Sequence, residues 1–408
     1  MTELQDILDA RARIGDRTYV SPCAHSETFS RRCGCSTYLK LENLQMTGSF
    51  KDRGALNKIL QLSEAERSKG VITASAGNHA QAVAYHAAIE AIPATIVMPQ
   101  RTPLIKVANT RSHGAEVILA GDSFDDAHRH ARQLQADRGL VFIHPFDDEE
   151  IIAGQGTLGL ELLEQVPDLD VVIVPVGGGG LISGIAIALK TLRPEIIIIG
   201  VEAKAVPAMQ QSVEAGRPVT VTSGITIADG IAVKHPGERT LGYVRRYVDE
   251  MVCVDEGEIA NAVLLLLEQE KAVVEGAGAV PLAALYNGHV PAAKGKNAVM
   301  ILSGGNIDVH LLSRIIERGL AKDRRLVRLE VRIFDQPGAL AGLLDDVGRL
   351  GANVIGIHHE RTFSDLGLAK VTVVLTLETR GAEHAKELAA GLRESKFDLE
   401  ELSLSGWH

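Results

Sequence analysis

The sequence predicts an α/β protein built on a doubly wound, mostly parallel sheet, followed by a smaller unit of different texture. Three observations carry this. Short Val/Ile-rich runs alternate with longer helix-periodic stretches between Gly70 and Leu302, glycines gather where those runs end, and after residue 325 the order changes to βαββαβ. The runs are Val71–Thr73, Ala94–Met98, Glu116–Leu119, Val141–His144, Val171–Val176, Glu195–Val201 and Ala298–Leu302. Strands separated by helices must run parallel, and such sheets take ligands beyond the carboxyl ends of their strands. The polar and glycine motifs of this chain fall at those ends.

Totals narrow the class. At 408 residues the chain has room for two or three domains, and 46% hydrophobic residues with only 4% aromatics suit Val/Ile strands buried on both faces. A formal net charge of −10 argues against nucleic acid or an anionic membrane as partner. Residues 1–15 are polar and amphipathic, and no run reaches the roughly 18 apolar residues that a span needs, so a soluble, cytoplasmic protein is expected. Four cysteines do not make a disulfide framework in a chain this long. Cys23, His25, Cys33 and Cys35 cluster, but the single residue between Cys33 and Cys35 is not the gap a tetrahedral zinc site uses. No metal is assigned.

Beyond Ile307 a helix over 308–318 leads to a charged linker at 321–325. Leu326–Phe334 alternates like a strand, Asp335-Gln336-Pro337-Gly338 turns into a helix from Ala339, and Asn353–Glu360 and Lys370–Thr379 read as strands. A helix over Ala382–Leu392 and a last strand near Leu399–Leu404 complete a ferredoxin-like order.

The chemistry gathers in four stretches. Thr47-Gly48-Ser49-Phe50-Lys51-Asp52-Arg53-Gly54-Ala55 joins a strand to a helix, with Ser49 as the expected N-cap and Asp52 in the first turn. Lys51 there sits at a positive helix end. Lost solvation and that partial charge both favour its neutral amine, the form that attacks an aldehyde. Ser75-Ala76-Gly77-Asn78-His79 offers backbone N–H groups to a carboxylate and an amide to a phenolic oxygen. Gly177-Gly178-Gly179-Gly180 follows a buried strand, so successive N–H groups can face one phosphate with no side chain between; neither a Walker loop nor a dinucleotide fingerprint is present. Ser303-Gly304-Gly305-Asn306 places a neutral hydroxyl at another strand end, able to meet a ring nitrogen without keeping it protonated.

These stretches, in this order from about residue 5 to 320, resemble the fold-type II pyridoxal phosphate enzymes, and among them the threonine dehydratases (threonine ammonia-lyases). The tail motifs Asp335-Gln336-Pro337-Gly338-Ala339-Leu340 and Leu350-Gly351-Ala352-Asn353-Val354 look like an ACT domain. The resemblance implies a catalytic domain over 1–320 with two doubly wound open sheets, its small subdomain spanning about 50–145, and a regulatory domain over 326–408. It implies Lys51 as the lysine joined to the cofactor and as base, and Phe50 beside the ring. Asn78 would bind its phenolic oxygen, Gly177, Gly178, Gly179 and Gly180 its phosphate, and Ser303 its pyridine nitrogen. Ser75, Ala76, Gly77, Asn78 and His79 would hold the substrate carboxylate, and Glu275 matches an acid near the site. The implied reaction turns L-threonine, and L-serine beside it, into a 2-oxo acid and ammonia.

Two departures separate this chain from serine racemases on the same scaffold. Ala76 stands where those enzymes resemble this chain but carry a serine as second base, and Ala208 stands where a second acid would complete a divalent-metal site with Glu202. A monovalent cation held by carbonyls is left open. A sensor that has lost catalysis is disfavoured because Lys51, the glycine loop and Ser303 are all present. The ACT resemblance implies an effector, isoleucine or valine, near Asp335, Pro337, Gly338 and Asn353, and a homodimer or homotetramer.

Overall fold

The computed structural model describes residues 1–222, 224–360 and 369–401, and the chain divides into two units, Met1–Ile307 and Asp308–His408. The first unit contains two open sheets. Its six-stranded sheet has the spatial order Cys23–Ser26, Ser36–Lys40, Asn297–Ile301, Val171–Pro175, Ile197–Ala203 and Glu250–Val254. All neighbours are parallel except the first pair. The four-stranded sheet is fully parallel, in the order Glu116–Leu119, Ala94–Met98, Val71–Ala74 and Val141–Phe142.

Burial explains why some strands are plain in the sequence. Every residue of Val171–Pro175 and of Ala94–Met98 is buried, so both read as unbroken apolar runs. Two strands without such a run, Cys23–Ser26 and Glu250–Val254, lie at opposite edges of the large sheet, partly exposed and only four and five residues long. Between the sheet and its helices lies a core of Val172, Val174, Ile182, Ile185, Leu189, Val299 and Ile301. The helix Lys51–Leu60 packs against the helices Glu149–Gln165 and Asn78–Ile89, which holds its first residue at the junction of the two sheets.

In the second unit a four-stranded antiparallel sheet has the order Asn353–Glu360, Lys370–Glu378, Leu326–Phe334 and Asp398–Glu401. The helices Ala339–Arg349 and Ala382–Glu394 pack onto a core of Val331, Leu343, Val347, Val373, Leu375, Leu388 and Leu392. This is the expected ferredoxin-like arrangement. Its start differs from expectation: the preceding helix runs from Val309 to Lys322 and belongs with this unit, so the division falls at Ile307 rather than at a linker over 321–325. Half-buried Leu311, Leu312, Ile316 and Leu320 around buried Ile315 continue one apolar stripe past residue 318. The last strand is described from Asp398 to Glu401; the remainder expected to Leu404 lies outside the described residues. Among the described residues, no helix is long and apolar enough to cross a membrane.

Candidate active site

Lys51 lies at a helix start, as expected, and is the first residue of the helix Lys51–Leu60, but Ser49 does not cap it. Phe50 occupies the N-cap with a helical backbone. Ser49 is instead consumed by tertiary pairing: it forms a β-bridge with Gly304, and the Phe50 N–H donates to the Ser303 carbonyl at 3.0 Å. The Ser49 hydroxyl is buried without a partner among the described residues. Asp52, whose carboxylate accepts from the Thr47 N–H (2.9 Å), the Thr47 hydroxyl (2.7 Å) and His86 Nε2 (3.1 Å), closes the loop onto the helix start.

The Lys51 side chain is half-buried, and its Nζ donates to the Pro145 carbonyl at 2.7 Å rather than to a carboxylate. Burial pushes its pKa down to about 8, and the attraction of Glu275 opposes this only in part. The Phe50 ring centroid lies 5.0 Å from Nζ. Glu275 stands at the N-cap of the helix Gly276–Tyr286 yet makes no capping bond; its Oε1 accepts from Asn78 Nδ2 at 2.7 Å. Burial, reinforced by Asp229, raises the Glu275 carboxyl to about 7. The structure therefore joins Glu275 to Asn78 and not to a helix end.

Two anion cradles open at strand ends. After Val171–Pro175, the N–H groups of Gly177, Gly178 and Gly179 find no backbone acceptor among the described residues. Neighbours dictate glycine here: a Cβ on Gly178 would lie 2.2 Å from the Phe146 ring, and Gly179 adopts φ +88° with Met209 Cε 2.5 Å from where its Cβ would stand. After Val71–Ala74, the N–H groups of Ala76, Asn78 and His79 are likewise without acceptors among the described residues, while the Gly77 N–H donates to Ser75 Oγ at 3.3 Å. The His79 ring is no part of that cradle. It is buried, bonds the Ile143 carbonyl at 3.0 Å, and is held neutral, with its pKa pushed down to about 3 mainly by burial. Ser303 is buried immediately beyond Asn297–Ile301.

Glu202 does not sit among other acids: its two oxygens accept from the Met209 and Gln210 N–H groups at 2.8 and 2.7 Å, capping the helix Ala208–Ala215. Sequence reasoning missed the Pro145 carbonyl, Phe146, and the Asp229–Ile231 turn that touches both Glu275 and Gly177. The first two lie just past the strand Val141–Phe142, so the carboxyl-end rule was the available signal. The turn follows no strand and left none.

A family model described as pyridoxal-phosphate dependent enzyme matches residues 15–304. The chain belongs to this family. It is 50% identical, over 388 residues that make 95% of this chain and 96% of the relative, to an L-threonine ammonia-lyase of Thermotoga maritima. Among solved structures it is similar to the processed form of threonine deaminase isoform 2 from Solanum lycopersicum, with TM-score 0.74 and 41% identity over 77% of this chain and 92% of that one. Maize serine racemase is similar at the same TM-score, 0.74, with 38% identity over 79% of this chain and 99% of that one. The family's cofactor needs an amine for its aldehyde and a cradle for its phosphate. The residues present fit: Lys51 is a desolvated amine whose hydrogen bond goes to a carbonyl and not to a carboxylate, and the glycine loop offers N–H groups where any Cβ would collide.

Proposed function

We propose that this enzyme is an L-threonine ammonia-lyase that also accepts L-serine, releasing 2-oxobutanoate or pyruvate together with ammonia. The observation that carries the reading is the pairing of a lowered Lys51 amine with Ala76, a residue that cannot move a proton, in the carboxylate-binding turn. One base at Cα suits elimination; racemisation needs a second proton carrier.

When bound, the cofactor supplies an aldehyde that holds the substrate amino group and a ring that draws electrons from Cα. Lys51 would supply the amine for that aldehyde, and its Nζ would take the proton from the substrate Cα. The N–H groups of Ala76, Asn78 and His79, with Ser75 and Gly77 shaping the turn, hold the substrate carboxylate. Gly177 to Gly180 hold the phosphate, Phe50 flanks the ring and Asn78 donates to its phenolic oxygen. The Ser303 hydroxyl would meet the ring nitrogen as a neutral partner, which suits elimination of the β-hydroxyl better than chemistry needing a strong electron sink. A monovalent cation, held by backbone carbonyls between Ala203 and Ala208, belongs to the same reading.

The second unit is assigned to regulation as an ACT domain: isoleucine or valine binds near Asp335, Pro337, Gly338 and Asn353 and lowers turnover through a homo-oligomer. Its ferredoxin-like topology and the turn before the helix at Ala339 support this. The test is 2-oxo acid formation from L-threonine and L-serine, with and without isoleucine, alongside chiral analysis of recovered serine. Oxo acid from threonine with no D-serine is expected. D-serine in excess of pyruvate would replace the lyase by a racemase, and indifference to isoleucine and valine would remove the regulatory assignment alone.

A further inference from the structure

We infer that Asn306 is a positioning residue: it fixes which way round the Asn78 amide stands, and so which of its edges meets Glu275 and a bound ligand. The sequence placed Asn306 in a motif without giving it work. In the structure its Nδ2 lies 2.8 Å from the Thr47 carbonyl and 2.7 Å from the Asn78 side chain. A backbone carbonyl only accepts, so the Asn306 atom facing it is the NH₂ group. An NH₂ group only donates, so the Asn78 atom facing Asn306 is the carbonyl Oδ1. That leaves Asn78 Nδ2 toward Glu275 Oε1, at 2.7 Å. Its other N–H has no acceptor among the described residues and is left for a ligand.

The backbone protects this relay. Gly48, at φ +78°, could not carry a side chain without a Cβ 2.9 Å from Asn306 Oδ1. A Cβ on Gly304 would stand 2.4 Å from Glu275 Oε1 and 3.1 Å from Asn78 Nδ2. An amide has two nearly isosteric edges, and without fixed neighbours it presents either one. Glu275 alone orients Asn78 only while ionised, because a neutral carboxyl both donates and accepts. Its carboxyl lies near 7 under burial and Asp229, with Asn78, Lys106 and Lys51 acting in the opposite sense. Asn306, which does not titrate, holds the orientation on both sides of that value.

This rests on the reading that Asn78 touches the cofactor, and the experiment separates the two. Cofactor-free wild type, Asn306→Leu (nearly the same shape, no donor) and the double variant Asn306→Leu/Glu275→Gln are titrated with pyridoxal phosphate at pH 6 and pH 8.5. Dissociation constants are read as ratios to wild type at each pH. The single variant should bind within about twofold of wild type at pH 8.5, where ionised Glu275 still orients Asn78, and roughly tenfold more weakly at pH 6. The double variant should be weakened at both, since a glutamine has no preferred edge. A loss that is equal at the two pH values, or no loss, overturns the inference. Asn306→Ala is read the same way should the leucine variant misfold; failure of both to fold would assign Asn306 to the scaffold instead. Borohydride reduction of the wild type followed by peptide mapping checks the underlying reading: cofactor absent from Lys51 would sink the proposed function, whereas cofactor on Lys51 with a flat pH ratio sinks only the role of Asn306.

Discussion

Lys51 and Arg53 stand two residues apart at the start of one helix, and the fold treats their charges in opposite ways. Arg53 is wholly buried. Its Nε and Nη2 donate to the two oxygens of Glu42, both at 2.8 Å, and Nη2 also meets Glu161 Oε2 at 2.9 Å. Lys40, buried beside it, donates to the Ser21 carbonyl at 2.7 Å and to Gln165 at 2.8 Å and pairs with Glu161. Burial works against the Arg53 charge, but Glu42 and Glu161 outweigh it and hold the guanidinium pKa above its ordinary value. Lys51 hydrogen-bonds only a carbonyl, and Glu275 supports its charge only in part. Burial therefore wins, and the amine drops toward neutrality. The same sequence motif thus carries one charge that the fold holds and one that it weakens, and the presence or absence of a hydrogen-bonded carboxylate decides which.

Breaking each side of this contrast should give separable results. The largest effect expected is on turnover: Lys51→Ala should lower 2-oxo acid formation by at least about a thousandfold, measured with saturating threonine, while the cofactor-free fold survives. Arg53→Met should do the reverse in kind. It strands Glu42 without its hydrogen-bonded cation, leaves Glu161 with Lys40 alone, and should cost about 3–5 kcal/mol, read as a lower urea midpoint. An unchanged midpoint would mean the carboxylates find water or protonate cheaply.

A smaller effect sharpens the electrostatics. Glu275→Gln removes the attraction that partly supports the Lys51 charge, so the amine pKa should fall below about 8 and the acid limb of the rate profile should move to lower pH. A shift upward would contradict the assignment of Lys51 as the titrating base. The smallest effect concerns stability. The folded Lys51 pKa, about 8, lies below its ordinary 10.5, so the folded state binds fewer protons and stability rises with pH across that window. Cofactor-free Lys51→Met should accordingly be more stable than wild type below pH 8, and the gain should fade as pH approaches 10.5.

Much of the fold was legible because its strands are buried on both faces. Val171–Pro175 and Ala94–Met98 could not be mistaken for amphipathic elements, and the four-glycine loop marked where the first of them ends. The edge strands Cys23–Ser26 and Glu250–Val254 had no such signal, and the helix Val309–Lys322 outran its expected end because residue 319 is only one weak glycine in a continuing stripe. At the candidate site, Lys51, Asn78, the glycine loop and Ser303 were singled out from local motifs and from the family these motifs resemble, and each lies at a strand end or a helix start. The Ser49 cap failed for a reason no local rule contains: the chain segment that would have capped the helix is paired to Gly304, 255 positions away in sequence by the difference of 304 and 49.

What the sequence determined by itself was the order of elements and the chemical types at their ends, since periodicity, glycine and polar punctuation act over a few residues. What only the tertiary structure decided was partnership. Glu275 became a neighbour of Asn78 instead of a cap, the His79 ring left the cradle for the Ile143 carbonyl, and Lys51 kept a carbonyl while Arg53 took two carboxylates. Desolvation and hydrogen-bond pairing set whether a side chain stays charged, and both depend on groups brought together from positions far apart in the chain.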